Sequence, residues 1–252
     1  MTKNSTIVNQ LRAGFEDAIV VVIGGTGGIG GLVVQQAVEL GAQVIVGARS
    51  IASEKIPEGV SDSFAIDISD ANSIRAFRRT LKDQYGRVDV LVNTAGYSYQ
   101  LPPKRLDLLS DEIIDEVMGV NARGPLIVMR EMAELLKLGN DPALINLSSI
   151  TATTGGGSNI AYAASKAAID TASKAIARAL APKVRVVNIS PSALDTNFAR
   201  NRNDDFIDAT INASALKRLA SLEEVATAVI CAARLLTATT GTTVYVDAGR
   251  HL

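Results

Sequence analysis

The sequence predicts a single α/β domain built on a doubly wound parallel sheet. Short apolar segments rich in β-branched residues alternate with longer segments of helical periodicity along the chain. Such alternation is typical of a parallel sheet covered by helices on both faces. At 252 residues the chain is long enough for one such domain with a full hydrophobic core. No internal repeat, low-complexity stretch or linker indicates a second domain.

Seven strands and five helices are predicted from the apolar periodicity. The first strand is a continuous apolar run, as expected of a strand that is buried on both faces. The helical segments instead repeat their apolar residues with a period near 3.6. The predicted strands are 18–23, 43–46, 63–66, 89–93, 143–147, 185–189 and 243–246, and the predicted helices are 30–40, 71–84, 111–138, 161–181 and 222–236.

Two segments depart from this regular alternation. Ile7, Leu11 and Phe15 are spaced four apart ahead of the first strand, which predicts a short helix in an N-terminal extension, residues 1–17. Between the second and third strands, 50–62 contains Pro57 and has little helical pattern. We therefore do not expect a full crossover helix there.

Composition excludes several classes of function. Lys and Arg (25) nearly balance Asp and Glu (26), so no basic excess points to nucleic acid. No apolar run reaches the ~20 residues of a membrane helix, and no secretory signal is expected in the opening residues. The single cysteine, Cys231, lies in an apolar helical segment and is interpreted as a buried, inert thiol. These features favour the cytoplasm, and no metal site is predicted.

A glycine-rich turn follows the first strand and precedes the first core helix. Strand, glycine turn and helix is the context in which such a turn binds a dinucleotide. Missing side chains let the backbone approach a pyrophosphate, and the helix N-terminus supplies N–H groups and a positive dipole. The alternative is a purely structural turn. The candidate cofactor contacts are Gly24, Thr26, Gly27, Gly28, Ile29 and Gly30.

A tyrosine and a lysine one helical turn apart predict acid–base chemistry. Tyr162 and Lys166 share one face of the helix 161–181. An unperturbed phenol titrates near ~10, and a neighbouring cation moves that pKa toward the working range. Ser149 stands thirteen residues before the tyrosine, at the end of a strand, where its hydroxyl can hold a substrate oxygen. An ordinary helix pair is the alternative for the two residues alone.

Taken together, these motifs resemble those of the short-chain dehydrogenase/reductase family, which has a Rossmann-like fold, over nearly the whole chain. The family pattern Thr-Gly-x-x-x-Gly-x-Gly falls on residues 23–30, with Ile23 in place of the threonine whose hydroxyl braces the turn. Its Asn-Asn-Ala-Gly is represented by Asn93, Thr94, Ala95 and Gly96, of which Asn93, Ala95 and Gly96 are implied to contact the cofactor. Pro-Ser replaces the family's Pro-Gly at Pro191. The resemblance implies the catalytic residues Asn121, Ser149, Tyr162 and Lys166, and it implies nicotinamide contacts at Pro191 and Thr196.

Cofactor preference depends on the residue after the second strand. NAD enzymes usually carry a carboxylate there, which binds the ribose hydroxyls and would repel a 2′-phosphate. This chain has Arg49 and Ser50, and a guanidinium can pair with that phosphate. The sequence therefore predicts NADP, with a solvated arginine as the alternative. Asp67 and Ile68 resemble the family's adenine contact.

The resemblance implies a mechanism in which a carbonyl is reduced to an alcohol. Ser149 and Tyr162 would donate hydrogen bonds to the carbonyl oxygen, with Tyr162 as general acid. Lys166 would lower the pKa of Tyr162 and bind the nicotinamide ribose. Asn121 would hold a water that connects Lys166 to solvent, or would be a structural asparagine in a kinked helix.

The substrate itself is less well defined by the sequence. Its contacts are predicted at Ser149, Thr151, Tyr162 and Leu194, beneath a mobile lid at about 193–214. Small ketones, 3-oxoacyl thioesters and, in the reverse direction, alcohols remain open as substrates. A second class of function is an NADP-sensing protein without turnover, although a sensor has no need of a proton path. His251 is interpreted as a tail residue.

A symmetric homotetramer, or at least a homodimer, is expected. The helices 111–138 and 161–181 carry more apolar and small residues than one sheet face can cover, and relatives in the family pair through these helices. The small residues are Ala163, Ala167, Ala168 and Ala172.

Overall fold

A computed structural model describes residues 3–51, 55–102, 104–194 and 204–252. The described strands are β1 (Ile19–Ile23), β2 (Gln43–Ala48), β3 (Asp62–Ala65), β4 (Val90–Asn93), β5 (Ala143–Leu147), β6 (Arg185–Pro191) and β7 (Thr242–Val246). The helices are α1 (Lys3–Phe15), α2 (Gly28–Glu39), α3 (Ala71–Tyr85), α4 (Asp111–Met118), α5 (Gly124–Lys137), α6 (Thr151–Thr154), α7 (Ile160–Leu180), α8 (Asp204–Ala213) and α9 (Leu222–Arg234). A 3₁₀ turn covers Leu106–Leu108.

The strands form one parallel sheet in the order β3-β2-β1-β4-β5-β6-β7. The strand order reverses between β1 and β4, and a doubly wound sheet binds its ligands beyond the strand ends at such a reversal. The predicted α/β class and Rossmann-like sheet are confirmed.

The sheet separates two apolar cores, and β1 contributes to both. Val20 and Val22 pack with α2 and α9 on one face, whereas Val21 and Ile23 pack with α3, α5 and α7 on the other. Successive strand residues point to opposite faces, so a strand covered on both sides must be apolar throughout. This explains why the predicted first strand shows no polar alternation.

The long helix predicted at 111–138 is wrong as a single element. The chain forms α4, then a π-helical turn at Gly119–Arg123, then α5. Pro125 lies in the first turn of α5 and has no N–H to continue the preceding hydrogen bonds. A Cβ at Gly124 would lie 2.4 Å from the carbonyl oxygen of Ile68, so this glycine lets the interrupted helix approach the loop after β3.

Two short helices, α6 and α8, were not predicted from the sequence. The helix α6 directly follows Ser149, and α8 lies within the predicted lid, 193–214. The middle of that segment lies outside the described residues. Between β2 and β3, the described residues form no helix.

The N-terminal helix α1 packs on the face of the sheet that carries α9. Phe15 is completely buried, and the guanidinium of Arg234 on α9 lies 5.4 Å from its ring. Arg234 also donates to the carbonyl oxygens of Gly14 and Asp141, both at 2.6 Å. Because Asp141 precedes β5, this anchor lies at the amino ends of the strands, away from the functional edge. None of the described helices is long and apolar enough to cross a bilayer.

Candidate active site

A cleft of about 1360 Å³ opens beyond the carboxyl ends of the strands. Most of the predicted site residues line it, and they come from separate parts of the chain. Ser50, Asn93, Asn121 and Thr151 do not line the cleft, and Thr196 lies outside the described residues. The predicted residues that line it are Gly24, Thr26, Gly27, Gly28, Ile29, Gly30, Arg49, Asp67, Ile68, Ala95, Gly96, Ser149, Tyr162, Lys166, Pro191 and Leu194.

The glycine turn requires missing side chains at two positions. Gly24 has φ +84°, a conformation that side chains disfavour, and a Cβ there would lie 2.6 Å from Thr94 Oγ1. A Cβ at Gly30 would lie 2.2 Å from the carbonyl oxygen of Gly24. Helix α2 begins after Gly27, which offers no side-chain cap. The first turn of α2 therefore presents its N–H groups to the cleft without a competing side chain.

Thr94 braces this turn from the neighbouring strand end. Its hydroxyl donates to the carbonyl oxygen of Ile23 at 2.9 Å, beside the main-chain bond from Thr94 N to the same oxygen. The sequence at Ile23 lacks the hydroxyl expected of the family pattern, and the side chain of Ile23 is instead buried in the core. A hydroxyl is therefore present at the turn, and it comes from the end of β4.

Arg49 and Asp67 lie at the ends of β2 and β3. The side chain of Arg49 is exposed where it lines the cleft. Asp67 accepts hydrogen bonds from the N–H and the hydroxyl of Ser69, at 2.9 and 2.6 Å. The hydroxyl bond is the main reason that the pKa of Asp67 lies below its usual value, and the charge of Arg49 acts in the same direction. Asp67 therefore presents an ionised carboxylate as an acceptor.

Lys166 is buried beside Tyr162. Its Nζ lies 5.6 Å from the centre of the tyrosine ring and donates to the carbonyl oxygen of Leu147 at 2.7 Å. Burial lowers the pKa of Lys166 to about 8, and Asp170, one turn further along α7, opposes that shift. The carboxylate of Asp170 is held by a 2.9 Å hydrogen bond from Asn188 on β6.

Ser149 and Tyr162 are positioned by the elements that follow and precede them. Ser149 Oγ accepts from the N–H of Thr151 at 3.3 Å, at the start of α6. Tyr162 is the third residue of α7, and its N–H donates to the side chain of Asn159, the N-cap of that helix, at 2.8 Å. Asn159 was not singled out from the sequence. An asparagine directly before an apolar helical segment is the signal that identifies it as a cap.

Asn121 braces a loop with its side chain. It lies in the π-helical turn, accepts from the N–H of Tyr97 at 2.8 Å and donates to the carbonyl oxygen of Tyr97 at 2.6 Å. Both polar atoms of the amide thus hold the segment after β4. The side chain has a structural task, and the water-holding role implied by the resemblance stays a prediction.

The residues present fit a dinucleotide. Gly24 and Gly30 let the turn pack closely against Thr94, because a Cβ at either position would collide with it, and the N-terminus of α2 faces the same cleft. Within the described residues, buried polar atoms without a protein partner occur at Asn93 Oδ1 and at Ser148 Oγ. Ser148 lines the cleft, and Asn93 ends the strand before Thr94. Ser148 is therefore a suitable partner for a polar ligand. No cluster of three or more potential metal ligands occurs among the described side chains.

Known proteins that are similar to this chain in sequence include reductases of similar length. The chain is 32% identical over 246 residues to a ketoacyl reductase assigned to the granaticin polyketide synthase of Streptomyces violaceoruber, covering 94% of this chain and 97% of that one. It is 29% identical over 244 residues to a 3-oxoacyl-(acyl-carrier-protein) reductase of Vibrio harveyi, covering 94% and 98%.

Solved structures show the same fold. A short-chain dehydrogenase of Leptospira borgpetersenii with bound NAD⁺ is 27% identical, with a TM-score of 0.85 over 94% of each chain. The ligand-free aldohexose dehydrogenase of Thermoplasma acidophilum is 26% identical, with a TM-score of 0.83 over 94% of each chain. A family model described as enoyl-(acyl carrier protein) reductase matches residues 24–251. The chain belongs to the short-chain dehydrogenase/reductase family of oxidoreductases.

Proposed function

We propose that the protein is an NADPH-dependent reductase that converts a ketone to a secondary alcohol. The observation that carries this proposal is the meeting of Ser149, Tyr162 and Lys166 in the cleft that also holds the glycine turn and Arg49. A pure nucleotide sensor could use Lys166 to bind the cofactor, but it would have no need of a proton path through Ser149 and Tyr162. The sensor alternative therefore has less support than the enzyme.

The catalytic side chains would act on the carbonyl oxygen of the substrate. NADPH, when bound, supplies the hydride. Ser149 and Tyr162 donate hydrogen bonds to the oxygen as negative charge develops on it, and Tyr162 transfers its proton. Lys166 in its cationic form stabilises the tyrosinate that remains. Its ammonium group also lies in the cleft, where it can bind the nicotinamide ribose.

The preference for NADPH is supported by charge. Arg49 places a guanidinium at the end of β2, where a carboxylate would select against a 2′-phosphate. Asp67, at the end of β3, is an ionised acceptor that suits the exocyclic amine of adenine. The Leptospira relative holds NAD⁺, and titration of this chain with NADPH and NADH distinguishes the two cofactors.

Among possible substrates, 3-oxoacyl thioesters have support from the two relatives described as ketoacyl and 3-oxoacyl reductases. A panel of ketones, diketones and acyl thioesters, measured through the loss of NADPH absorbance, tests the proposed function. Turnover of at least one class is the expected result. Tight NADPH binding without turnover across the panel would favour the sensor.

We also propose that the chain assembles into a homotetramer or homodimer through the α4–α5 segment and α7. Exposed apolar side chains occur on all three helices, at Ile114, Leu126 and Ile160. Light scattering at micromolar concentration tests this, and a monomer would contradict it.

A further inference from the structure

A buried amide connects the catalytic helix with the loop after β4. Asn159 is 8% exposed and uses both ends of its side chain. Its Oδ1 accepts from the N–H of Tyr162 at 2.8 Å. Its Nδ2 donates to the carbonyl oxygen of Tyr99 at 2.8 Å and to the hydroxyl of Ser98 at 3.2 Å. One side chain therefore contacts both the backbone of Tyr162 and the segment 97–101, of which Tyr97 lines the cleft.

The segment 97–101 is fastened along its whole length. Tyr97 lines the cleft and is held by Asn121. The hydroxyl of Tyr99 donates to Glu116 on α4 at 2.6 Å, and the N–H of Leu101 donates to the carbonyl oxygen of Ser158 at 2.8 Å. The hydroxyls of Ser98 and Ser158 are also hydrogen-bonded to each other. The segment is thus held between the π-helical turn, α4 and the residues that lead into α7.

Resting on the proposed function, we propose that Asn159 is a positioning residue that sets the place of Tyr162 relative to the segment 97–101, whose Tyr97 lines the cleft. Proton transfer requires the acid to lie within hydrogen-bond reach of the substrate oxygen, and displacements near 1 Å can cost about 10²-fold in rate. Asn159 links the backbone of Tyr162 to this segment through one amide side chain. The two ends of the amide have separable tasks: the oxygen holds Tyr162, and the nitrogen holds the segment 97–101.

Two substitutions separate these tasks. Serine is as good an N-cap as asparagine, so Asn159→Ser retains the bond to the Tyr162 N–H but is too short to reach Tyr99. Asn159→Ala removes both. We expect Asn159→Ser to raise KM several-fold for the accepted substrate with a smaller change in kcat. Asn159→Ala should in addition lower kcat by about tenfold or more, and the serine should rescue most of that loss.

A control removes a helix cap elsewhere. Ser110 caps α4 by accepting from the N–H of Ile113 at 3.4 Å, and it does not line the cleft. Ser110→Ala should change thermal stability slightly and leave the ratio of KM to kcat as in the parent. If Asn159→Ala and Ser110→Ala alter the kinetics alike, Asn159 has no positioning role.

Amide hydrogen exchange tests the proposal without a substrate. In Asn159→Ala, the Tyr162 amide should exchange about fivefold faster or more, as expected for the loss of a cap. In Asn159→Ser it should stay protected, while the Leu101 amide should exchange faster in both variants. Unchanged exchange at both amides would overturn the proposal. Absence of turnover in the substrate panel with these exchange changes present would instead reject the proposed function alone.

Discussion

The glycine turn and the catalytic helix line the same cleft but differ in how they meet the family pattern. At the turn, Ile23 and Thr94 both depart from it, and the brace is formed by a hydroxyl from the other strand. At the catalytic helix, Tyr162 and Lys166 both match it, as does Ser149 after β5. The glycine turn requires a particular backbone conformation, and more than one kind of side chain can stabilise it. The catalytic helix must place a proton donor at one position beside the substrate oxygen, and few types of side chain can donate a proton from there.

The comparison predicts its largest effect at Tyr162. Tyr162→Phe removes only a hydroxyl, so the fold and the NADPH affinity should survive while turnover falls by ~10²–10⁴-fold, the usual contribution of general acid–base catalysis. Steady-state kinetics on an accepted substrate and a cofactor titration measure the two quantities. Lys166→Ala should damage both, and Ser149→Ala should cost less turnover than Tyr162→Phe. A phenylalanine variant that retains most of the parent rate would mean that Tyr162 is not the acid.

Arg49 gives the next largest effect, on cofactor choice. A charge-assisted pair with the 2′-phosphate should make NADPH bind more tightly than NADH by about 1–3 kcal/mol. Arg49→Asp should reverse the preference through repulsion, and Arg49→Gln should only remove it. Dissociation constants for both cofactors give the answer. Equal constants in the unmutated protein would show that Arg49 is a solvated side chain.

The pH dependence of reduction should follow Lys166. Its pKa of about 8 means that the ammonium form prevails below that pH and is lost as the pH rises through it. Reduction also requires Tyr162 to be protonated. A rise in pH removes the proton from either group, so both effects lower the rate at high pH. The rate should be level below about pH 8 and fall above it, approaching tenfold per pH unit for the loss of one proton. A rate that rises steadily through pH 9 would contradict this assignment.

The parts of the site that sequence predicts well are those that depend on chain-local patterns. The apolar run of β1 leading into Gly24 and the one-turn spacing of Tyr162 and Lys166 depend only on nearby residues. The pairing of Asn121 with Tyr97 and that of Asn159 with Tyr99 join segments 24 and 60 residues apart. Such contacts are determined by tertiary packing, and they leave no periodic pattern in the sequence from which they could be predicted. The same holds for the π-helical turn, where the close approach of Gly124 to Ile68 overrides helical propensity.

Backbone shape at the glycine turn can be tested without any cofactor. In Gly30→Ala the new methyl group would lie 2.2 Å from the Gly24 carbonyl oxygen, whereas in Gly27→Ala the nearest atom would be at 3.5 Å. Overpacking costs about 1–3 kcal/mol, which exceeds the gain of up to about 1 kcal/mol from alanine in a helix. The free energy of unfolding should therefore fall more for Gly30→Ala than for Gly27→Ala, where only the poorer N-cap preference of alanine acts. Equal losses would mean that the turn relaxes freely.

The smallest effect, and the sharpest test of the comparison, is the loss of the Thr94 hydroxyl. Thr94→Val is nearly isosteric and removes the 2.9 Å bond to the Ile23 carbonyl oxygen, while the parallel main-chain bond from Thr94 N remains. The free energy of unfolding should fall by about 0.5–1.5 kcal/mol, the net value of one hydrogen bond. Thr94→Ser retains the hydroxyl and serves as its control. Like Tyr162→Phe, Thr94→Val deletes a single hydroxyl from the cleft region, yet it should lower stability with little change in kcat, whereas the tyrosine variant should do the reverse. Chemical denaturation measures the stability of both variants, and steady-state kinetics measures their kcat. If both variants lose mainly stability, or both lose mainly kcat, then Thr94 and Tyr162 do not have the separate structural and catalytic roles argued for them.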